Sequence, residues 1–238
     1  MLKAMIEKIE AMAAPKTFEV DGCVYANKDL QLVHEKKCRP RSICVNGLDS
    51  IVQLVRNEYD HIGQQMFIQA KNHREVEVFT SLDSDEERFT LYCCTADTPR
   101  ITMGQFMPYE NAVIEMRSLY IPTPDTDYLL KLLSSVSSES KVTSSDNGVT
   151  QKVEAKSGIA LSSMVEVKPR VCLRPFRTFV EVDQPESDFL LRISERGEIG
   201  LFPADGGVWK LEATRNVAKY FEEKLADLIE RGIVVVIR

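Results

Sequence analysis

The spacing of apolar residues predicts β-strands in two separate parts of the chain, because apolar and polar residues alternate there with a period of two. The first part contains predicted strands at 30–34, 66–70, 76–80 and 89–94. A hairpin is expected before them, since Asp21-Gly22 is a tight-turn sequence between 18–20 and 23–25. In the second part, Pro169 interrupts the first of five further predicted strands, at 165–173, 179–182, 189–194, 199–202 and 208–211.

A helical period of apolar residues appears near the start, in the middle and towards the end of the chain. From Leu2 to Met12 these residues share one face of a helix that Pro15 ends, and this face packs either on its own domain or on another copy. A capping box, Thr102-x-x-Gln105, begins the second of four further predicted helices, at 48–59, 102–120, 124–136 and 217–229. The run 233–237 is apolar at every position, which is typical of a buried strand.

This order of elements predicts an α+β fold in which antiparallel sheet segments flank a central helical pair, followed by a C-terminal helix and strand. Each group of strands precedes helices, which favours segregated layers over parallel βαβ winding. A soft boundary is expected near residue 100. It separates an N-terminal helix, hairpin and meander (1–100) from the helical pair, sheet and C-terminal helix (101–238), and the two parts can also form one continuous domain.

Serine dominates residues 134–145, a composition that suits an interdomain linker or a polar hairpin arm. The turn sequence Asp146-Asn147-Gly148 lies between short β-branched runs at 142–143 and 149–153. We therefore favour the hairpin arm.

Composition and charge narrow the class of protein. Hydrophobic residues make up 44% of the chain and charged residues 28%, as in ordinary globular proteins. No apolar run is long enough to span a membrane, and the net charge of −6 disfavours non-specific nucleic-acid binding. Charged residues Glu7, Lys8 and Glu10 interrupt any export signal, so we expect a cytoplasmic protein whose six cysteines are thiols.

The sequence contains none of the common catalytic or cofactor motifs. Phosphate-loop, dinucleotide-binding, zincin and α/β-hydrolase signatures are missing, and none of the three histidines accompanies a nucleophile at a recognisable spacing. His34, Cys38 and Cys44 lack a fourth ligand and no C-x-x-C occurs, so no metal site and no cofactor is predicted. These observations favour a non-catalytic function over an enzyme with an unusual active site.

The densest group of candidate binding residues lies in 168–185, where arginines alternate with prolines. Arginine offers paired donors to phosphate or carboxylate, and Trp209 after Asp205-Gly-Gly207 could cover a base or sugar. A small anionic, nucleotide-like ligand would be held by Arg174 and Arg177, with Lys168, Arg170, Arg192, Trp209 and Lys210. In the competing interpretation, Trp209 belongs to the core and the arginines pair with Glu181, Asp183 or Glu186.

Three features indicate self-association: the amphipathic first helix, the serine-rich arm and the apolar strand at 233–237. Each of them could pair with, or exchange into, a second copy of the chain. A symmetric homodimer is the expected form.

Several short motifs resemble a phage and prophage family, YfdQ-like, to which no activity is assigned. They include Tyr92-Cys-Cys-Thr95, Ile101-Thr-x-Gly-Gln-Phe106, Arg174-Pro-Phe-Arg177 and Asp205-Gly-Gly-x-Trp209, within a match from about Lys16 to Phe221. The resemblance implies a soluble accessory protein made in a bacterium from phage or prophage DNA. We expect it to bind a host or phage component during infection, for host takeover or anti-defence. The alternatives are a nucleotide- or single-stranded-DNA-binding replication or recombination accessory, and an enzyme acting on nucleotides.

Overall fold

The chain is divided by its internal contacts into two units. The computed structural model describes residues 2–20, 23–26, 40–135, 151–157, 161–194 and 196–238. The first unit is Met1–Arg39 and the second is Pro40–Arg238. The boundary predicted near residue 100 falls inside the second unit, between its two larger sheets, and stays a prediction.

The first unit contains α1 (Leu2–Ala13) and a hairpin of β1 (Thr17–Val20) and β2 (Cys23–Ala26). The strands pair antiparallel with Phe18 opposite Tyr25, which confirms the predicted helix and hairpin. The turn residues Asp21 and Gly22, and the strand expected at 30–34, lie outside the described residues.

The second unit contains five helices and twelve strands among its described residues. In chain order they are β3 (Ile43–Val45), α2 (Leu48–Ile62), β4 (Met66–Asn72), β5 (Glu75–Thr80), β6 (Thr90–Thr95), β7 (Phe106–Met107), α3 (Tyr109–Ser118), β8 (Tyr120–Ile121), α4 (Pro124–Ser135), β9 (Gln151–Ser157), β10 (Leu161–Val167), β11 (Arg170–Pro175), β12 (Ser187–Ile193), β13 (Ile199–Pro203), α5 (Trp209–Lys224), α6 (Ala226–Glu230) and β14 (Val234–Ile237).

The first large sheet has the strand order β14-β4-β5-β6-β3. Its centre, β4-β5-β6, is the predicted antiparallel meander, and the edge strands β14 and β3 pair parallel to β4 and β6. Helices α2, α5 and α6 supply apolar side chains that pack with those of the sheet in one core. Leu48, Ile51 and Val55 of α2 are fully buried there, as are Val217 and Phe221 of α5.

The second large sheet has the order β7-β13-β12-β11-β8 and is antiparallel throughout. Helices α3 and α4 share a second core with it, in which Leu129, Leu132 and Leu133 of α4 lie among Phe189 and other strand residues. The Thr123 hydroxyl accepts from the Thr126 N–H at 3.2 Å, so α4 starts with a capping threonine and has Pro124 in its first turn. The α+β class is confirmed.

A separate two-stranded hairpin, β9 and β10, precedes the second sheet. Pro169 lies between β10 and β11, which confirms the predicted interruption. The turn at Asp146-Asn147-Gly148 and most of the serine-rich arm lie outside the described residues.

The helix predicted from the Thr102 capping box begins seven residues later, at Tyr109, after Pro108. Gly104 has a φ of +74°, and Phe106–Met107 form β7 against β13, so this segment bends and then becomes a strand where a helix was predicted. The Thr102 hydroxyl donates to Glu115 of α3 at 2.6 Å, and its N–H donates to the same carboxylate. Thr102 therefore caps no helix of its own, and the predicted helical start is wrong.

Two predicted strands are also wrong. Residues 179–182 form a turn, and Trp209 is the first residue of α5, not part of a strand at 208–211. The buried side chains Trp209, Ala213, Val217 and Phe221 recur every four residues, which is the helical period. After α6, Gly232 has a φ of +71° and its N–H donates to the Ile229 carbonyl, which is typical of a residue that follows a helix.

Strand β14 lies at the edge of its sheet, where only one side pairs with another described strand. Val234 is buried, but Val235, Val236 and Ile237 are partly exposed. The expectation of a fully buried strand is therefore wrong for three of these four residues.

Cys44 and Cys93 form a disulfide, so the expectation that all cysteines are thiols is wrong. Cys44 of β3 lies directly opposite Cys93 of β6, and their Cα atoms are 4.6 Å apart, within the range that a disulfide requires. Cys94 is a free, buried thiol on the other face of β6, and burial raises its pKa to about 12. Cys172 is also free.

Candidate functional site

The arginine-rich segment begins in β11, where side chains alternate between the two faces of the sheet. Val171 and Leu173 are buried in the second core, whereas Arg170 and Arg174 lie on the opposite face. Arg170 and Arg174 therefore share a face of the sheet. Arg177 follows the strand and takes a different direction.

The loop after β11 is held by the buried side chain of Gln184. Its Oε1 accepts from the N–H groups of Arg177 at 3.0 Å and Thr178 at 3.2 Å, and its Nε2 donates to the Phe179 carbonyl at 2.8 Å. These bonds satisfy backbone groups that a sheet ladder would otherwise pair. Gln184 therefore explains why 179–182 is a turn and why Arg177 points inwards.

Arg177 is buried against the ring of Trp209. Only 6% of its surface is exposed, and its Cζ lies 3.7 Å from the Trp209 ring centroid. Its Nη2 donates to the Ser187 hydroxyl, which in turn donates to Asp205 Oδ2 at 2.8 Å. Burial lowers the pKa of Arg177 to about 10, while the negative charge of Asp205 opposes that change. Arg177 thus remains a cation at neutral pH.

Asp205 shapes the turn that positions Trp209. Its Oδ1 accepts from the Gly207 N–H at 3.0 Å, and Gly207 has a φ of +84°, which side chains disfavour. Burial alone would raise the pKa of Asp205, but the bonds from Gly207 and Ser187, together with Arg177, lower it below its usual range. Asp205 is therefore an anion beside a buried cation.

His73 completes the cluster from the first sheet's β4–β5 turn. Its ring meets Trp209 edge-on, with centroids 4.7 Å apart. Its backbone carbonyl accepts a hydrogen bond from the Thr178 hydroxyl. Burial lowers the pKa of His73 to about 4, and the positive charges of Arg74, Lys210 and Arg177 act in the same direction. The imidazole is neutral at pH 7.

The shifted pKa of His73 makes stability depend on pH. In the unfolded chain the pKa is near 6.5, so between pH 6.5 and about 4 the unfolded state binds more protons than the folded state. The free energy of unfolding should fall by roughly 2 kcal/mol as pH drops through this window. Urea denaturation at a series of pH values measures the slope.

His73→Gln should flatten that slope between pH 6.5 and about 4.5, while the exposed His61→Gln control should retain it. An identical slope for wild type and His73→Gln would contradict the assignment.

The remaining predicted site residues lie outside the Arg177–Trp209 contact, except for Lys210. Lys210 is exposed and its Nζ lies 6.0 Å from the Trp209 ring centroid. Lys168 binds Asp125 at 3.0 Å, Arg170 binds Asp188 at 3.4 Å, and Arg174 donates to the Gln184 carbonyl at 2.9 Å with Asp183 at 3.9 Å. Arg192 pairs with Gly200 in the β12–β13 register.

Of the three carboxylates expected to pair with the arginines, only Asp183 has a described arginine partner. Glu181 instead accepts from the Leu48 N–H at the start of α2, at 2.8 Å. Glu186 accepts from the Cys172 thiol at 3.6 Å. The partner that balances Arg177 is Asp205, which the sequence showed only as a turn residue.

A recess of about 220 Å³ lies beside Trp209. Its lining includes Ser187, Val208 and Trp209 and four carboxylate residues, Glu186, Asp188, Asp205 and Glu212. Because Arg177 is buried behind Trp209, the charge that a ligand in this recess meets is mostly negative. The recess is therefore poorly suited to a phosphate group.

One buried polar atom of Arg177 and one of its neighbour Tyr120 have no hydrogen-bond partner among the described residues. They are Arg177 Nε and the Tyr120 hydroxyl. Burial and Glu115 raise the pKa of Tyr120, so its hydroxyl keeps its proton and can donate. An anion bound beside Arg177 would accept hydrogen bonds from these two groups.

The apolar face of α1 is exposed. Leu2, Met5, Ile6, Ile9 and Met12 have between 48% and 76% of their surface in contact with solvent. Their spacing places them on one side of the helix, with Lys3 and Lys8 outside that face. A contiguous apolar patch of this kind is typical of an interaction site.

No family model matches the chain, and no curated protein or solved structure is similar to it. The resemblance to the YfdQ-like family stays a prediction. Within the described ranges, no helix is both long and apolar enough to cross a membrane. Among those same residues, no group of three or more metal-binding side chains could hold an ion.

Proposed function

We propose that this chain is a non-catalytic accessory protein of phage or prophage origin that binds a host or phage protein during infection. It acts in host takeover or in blocking an antiviral defence, and we keep the bacterial cytoplasm as its location although a disulfide such as Cys44–Cys93 is rare in that compartment. The binding surface is the apolar face of α1. The family resemblance supports the setting, and the exposure of that face supports the activity.

Exposure of α1 carries the proposal because a helix with one apolar face gains stability only when that face is covered. None of its five large apolar side chains is buried. Helices of this pattern bind apolar grooves on other proteins, with residues spaced by three and four as anchors. The two methionines also suit such a surface, since unbranched thioether side chains adapt to irregular grooves.

The contacts of the arginine-rich segment favour a protein partner over single-stranded nucleic acid. Lys168, Arg170 and Arg174 each bind a carboxylate, so fewer cations are available for phosphates. Phe179 and Trp209 are buried, which removes them as stacking surfaces for bases. A small enclosed anion is the second candidate, favoured by the unpartnered Arg177 Nε and Tyr120 hydroxyl.

The proposal is tested by affinity capture from phage-infected bacterial cells after nuclease treatment. Met5→Glu with Ile9→Glu should abolish capture of a protein that the wild-type chain retains, because two charges would have to enter an apolar groove. Lys3→Ala with Lys8→Ala is the matched control: it also lowers the net charge by two, but leaves the apolar face intact, so capture should persist.

Equal capture by the wild type and the Met5→Glu, Ile9→Glu variant would contradict a role for α1. Recovery of DNA alone before nuclease treatment, lost steeply with added salt, would contradict the protein partner. We further propose that the protein self-associates, through a surface other than α1.

A further inference from the structure

Strand β14 combines an edge position with a composition suited to a sheet interior. Its four residues are Val234, Val235, Val236 and Ile237, without a charge or proline. Natural proteins protect exposed edges with short strands, lysine, proline or bulges. The other edges of the two large sheets follow this rule, since β3 has three residues and β7 and β8 have two. β14, with four residues, is the longest of these four edges, and every one of its residues is β-branched and apolar.

The free edge of β14 presents the backbone groups of alternate residues. The Ile233 carbonyl accepts from the Met66 N–H at 2.8 Å and therefore faces β4. In a parallel pair, alternate residues direct both N–H and C=O towards the neighbour. Ile233, Val235 and Ile237 thus face β4, and Val234 and Val236 direct their N–H and C=O away from it. These four groups have no strand partner among the described residues.

We propose that β14 pairs antiparallel with β14 of a second copy of this chain, across a twofold axis at Val235. Val234 of each copy lies opposite Val236 of the other, and the outward N–H and C=O groups of both residues form four hydrogen bonds. Opposite residues in an antiparallel pair share a face. Val234 and Val236, which contact the first core, therefore extend that core across the axis, and the two five-stranded sheets become one.

The charges around β14 agree with a second copy as the occupant. In this register Arg238 lies opposite Gly232 of the other copy, so no like charges meet. Arg238 follows the strand, and its charge is paired with Glu222 of α5 at 2.7 Å. The strand itself carries no charge. The pairing is self-complementary, as a twofold interface requires. It uses no residue of α1 and does not depend on the proposed partner binding.

Sedimentation or light scattering of the full chain at micromolar concentrations tests this dimer. The wild type should have twice the 27.0 kDa of one chain. Val235→Lys and Val235→Glu each place two like charges on the axis, and each should weaken dimerisation by about 100-fold or more. Mixing the two variants pairs opposite charges and should restore the dimer. This rescue requires folded chains, so it separates loss of pairing from loss of folding.

A third variant removes a backbone hydrogen-bond donor of β14. Val236→Pro removes one outward N–H, and an edge strand tolerates proline at such a position. The variant should be folded by circular dichroism and have the mass of one chain by sedimentation. Met5→Glu with Ile9→Glu should remain dimeric, so failure of the α1 proposal is distinguishable from failure of this one. A wild-type mass of one chain, or a dimer that persists in all three β14 variants, would overturn the inference.

Discussion

Arg177→Ala is expected to lower the free energy of unfolding by about 3 kcal/mol, because it removes a buried cation and leaves its partners in place. The Ser187 hydroxyl, which donates to Asp205, would lose the hydrogen bond that it accepts from Arg177. Trp209 would lose the guanidinium that lies over its ring. Guanidinium chloride denaturation of the two proteins measures the difference.

Arg170→Ala is the matched control, since it removes an arginine of the same segment whose ion pair with Asp188 is exposed. It should cost less than about 1 kcal/mol. A double-mutant cycle of Arg177→Ala and Trp209→Ala should show a favourable coupling, because the two side chains are in contact.

The same variant separates the structural role of Arg177 from a ligand-binding role. Wild-type stability in Arg177→Ala, combined with loss of a small anion that native mass spectrometry detects on the wild type, would contradict the structural role and support the enclosed anion. Loss of stability with no ligand on the wild type would end the ligand hypothesis.

Removing the Cys44–Cys93 disulfide is expected to lower the free energy of unfolding by about 4 kcal/mol. The bond closes a loop with a sequence separation of 49 residues, and a loop of that length restricts the unfolded chain by about this amount in the chain-entropy model. The loop contains α2, β4 and β5, so the first core is affected as a whole. Cys44→Ser with Cys93→Ser, measured by denaturant unfolding, gives the value.

Wild-type protein in excess dithiothreitol should match the double variant, and dithiothreitol should not change the double variant itself. Cys172→Ser is the control for replacing a half-exposed free thiol and should leave stability within about 0.5 kcal/mol. Equal stability of the wild type with and without reductant, with both thiols alkylated after reduction, would contradict the expected contribution.

Local periodicity predicted the elements that pack in a simple way. The β4-β5-β6 meander pairs neighbours in sequence, and buried residues alternate with more exposed ones along β4 and β5. Helix α4 buries Leu129, Leu132 and Leu133 on one stripe behind a capping threonine. In both cases the pattern that is visible in the sequence is also the pattern of burial.

Two of the wrong predictions concern side-chain contacts that have no periodicity, one of them distant in the sequence and one local. The Cys44–Cys93 bond depends on two strands separated by β4 and β5, so nothing near either cysteine shows it. The turn at 179–182 depends on the Gln184 amide, and an amide side chain has no periodicity. The start of α5 has another cause: the buried residues from Trp209 to Phe221 follow a four-residue spacing that is visible in the sequence, and the prediction of a strand at 208–211 does not use it.

For the candidate site, the sequence predicted Arg177 and Trp209 in one site. It did not predict that the guanidinium is buried against the indole ring. It did not include His73, Ser187 or Gln184, since each comes from a different part of the fold and has a common role in proteins as a surface residue. The negative charge of the recess was not predicted either, because its four carboxylate residues come together only when β12 and α5 are in place.

The placement of β14 and α5 on the first sheet has a consequence for how the chain folds as it is made. α2 and the β4-β5-β6 meander leave the ribosome early, but Val217 and Phe221, which complete their core, and Val234, which pairs with Met66, arrive only near the end of synthesis. The second sheet is built from one continuous stretch, from β7 to β13, and can close before then. The sheet translated first is thus the last to be finished, and its apolar face stays incompletely covered until α5 and β14 have been made.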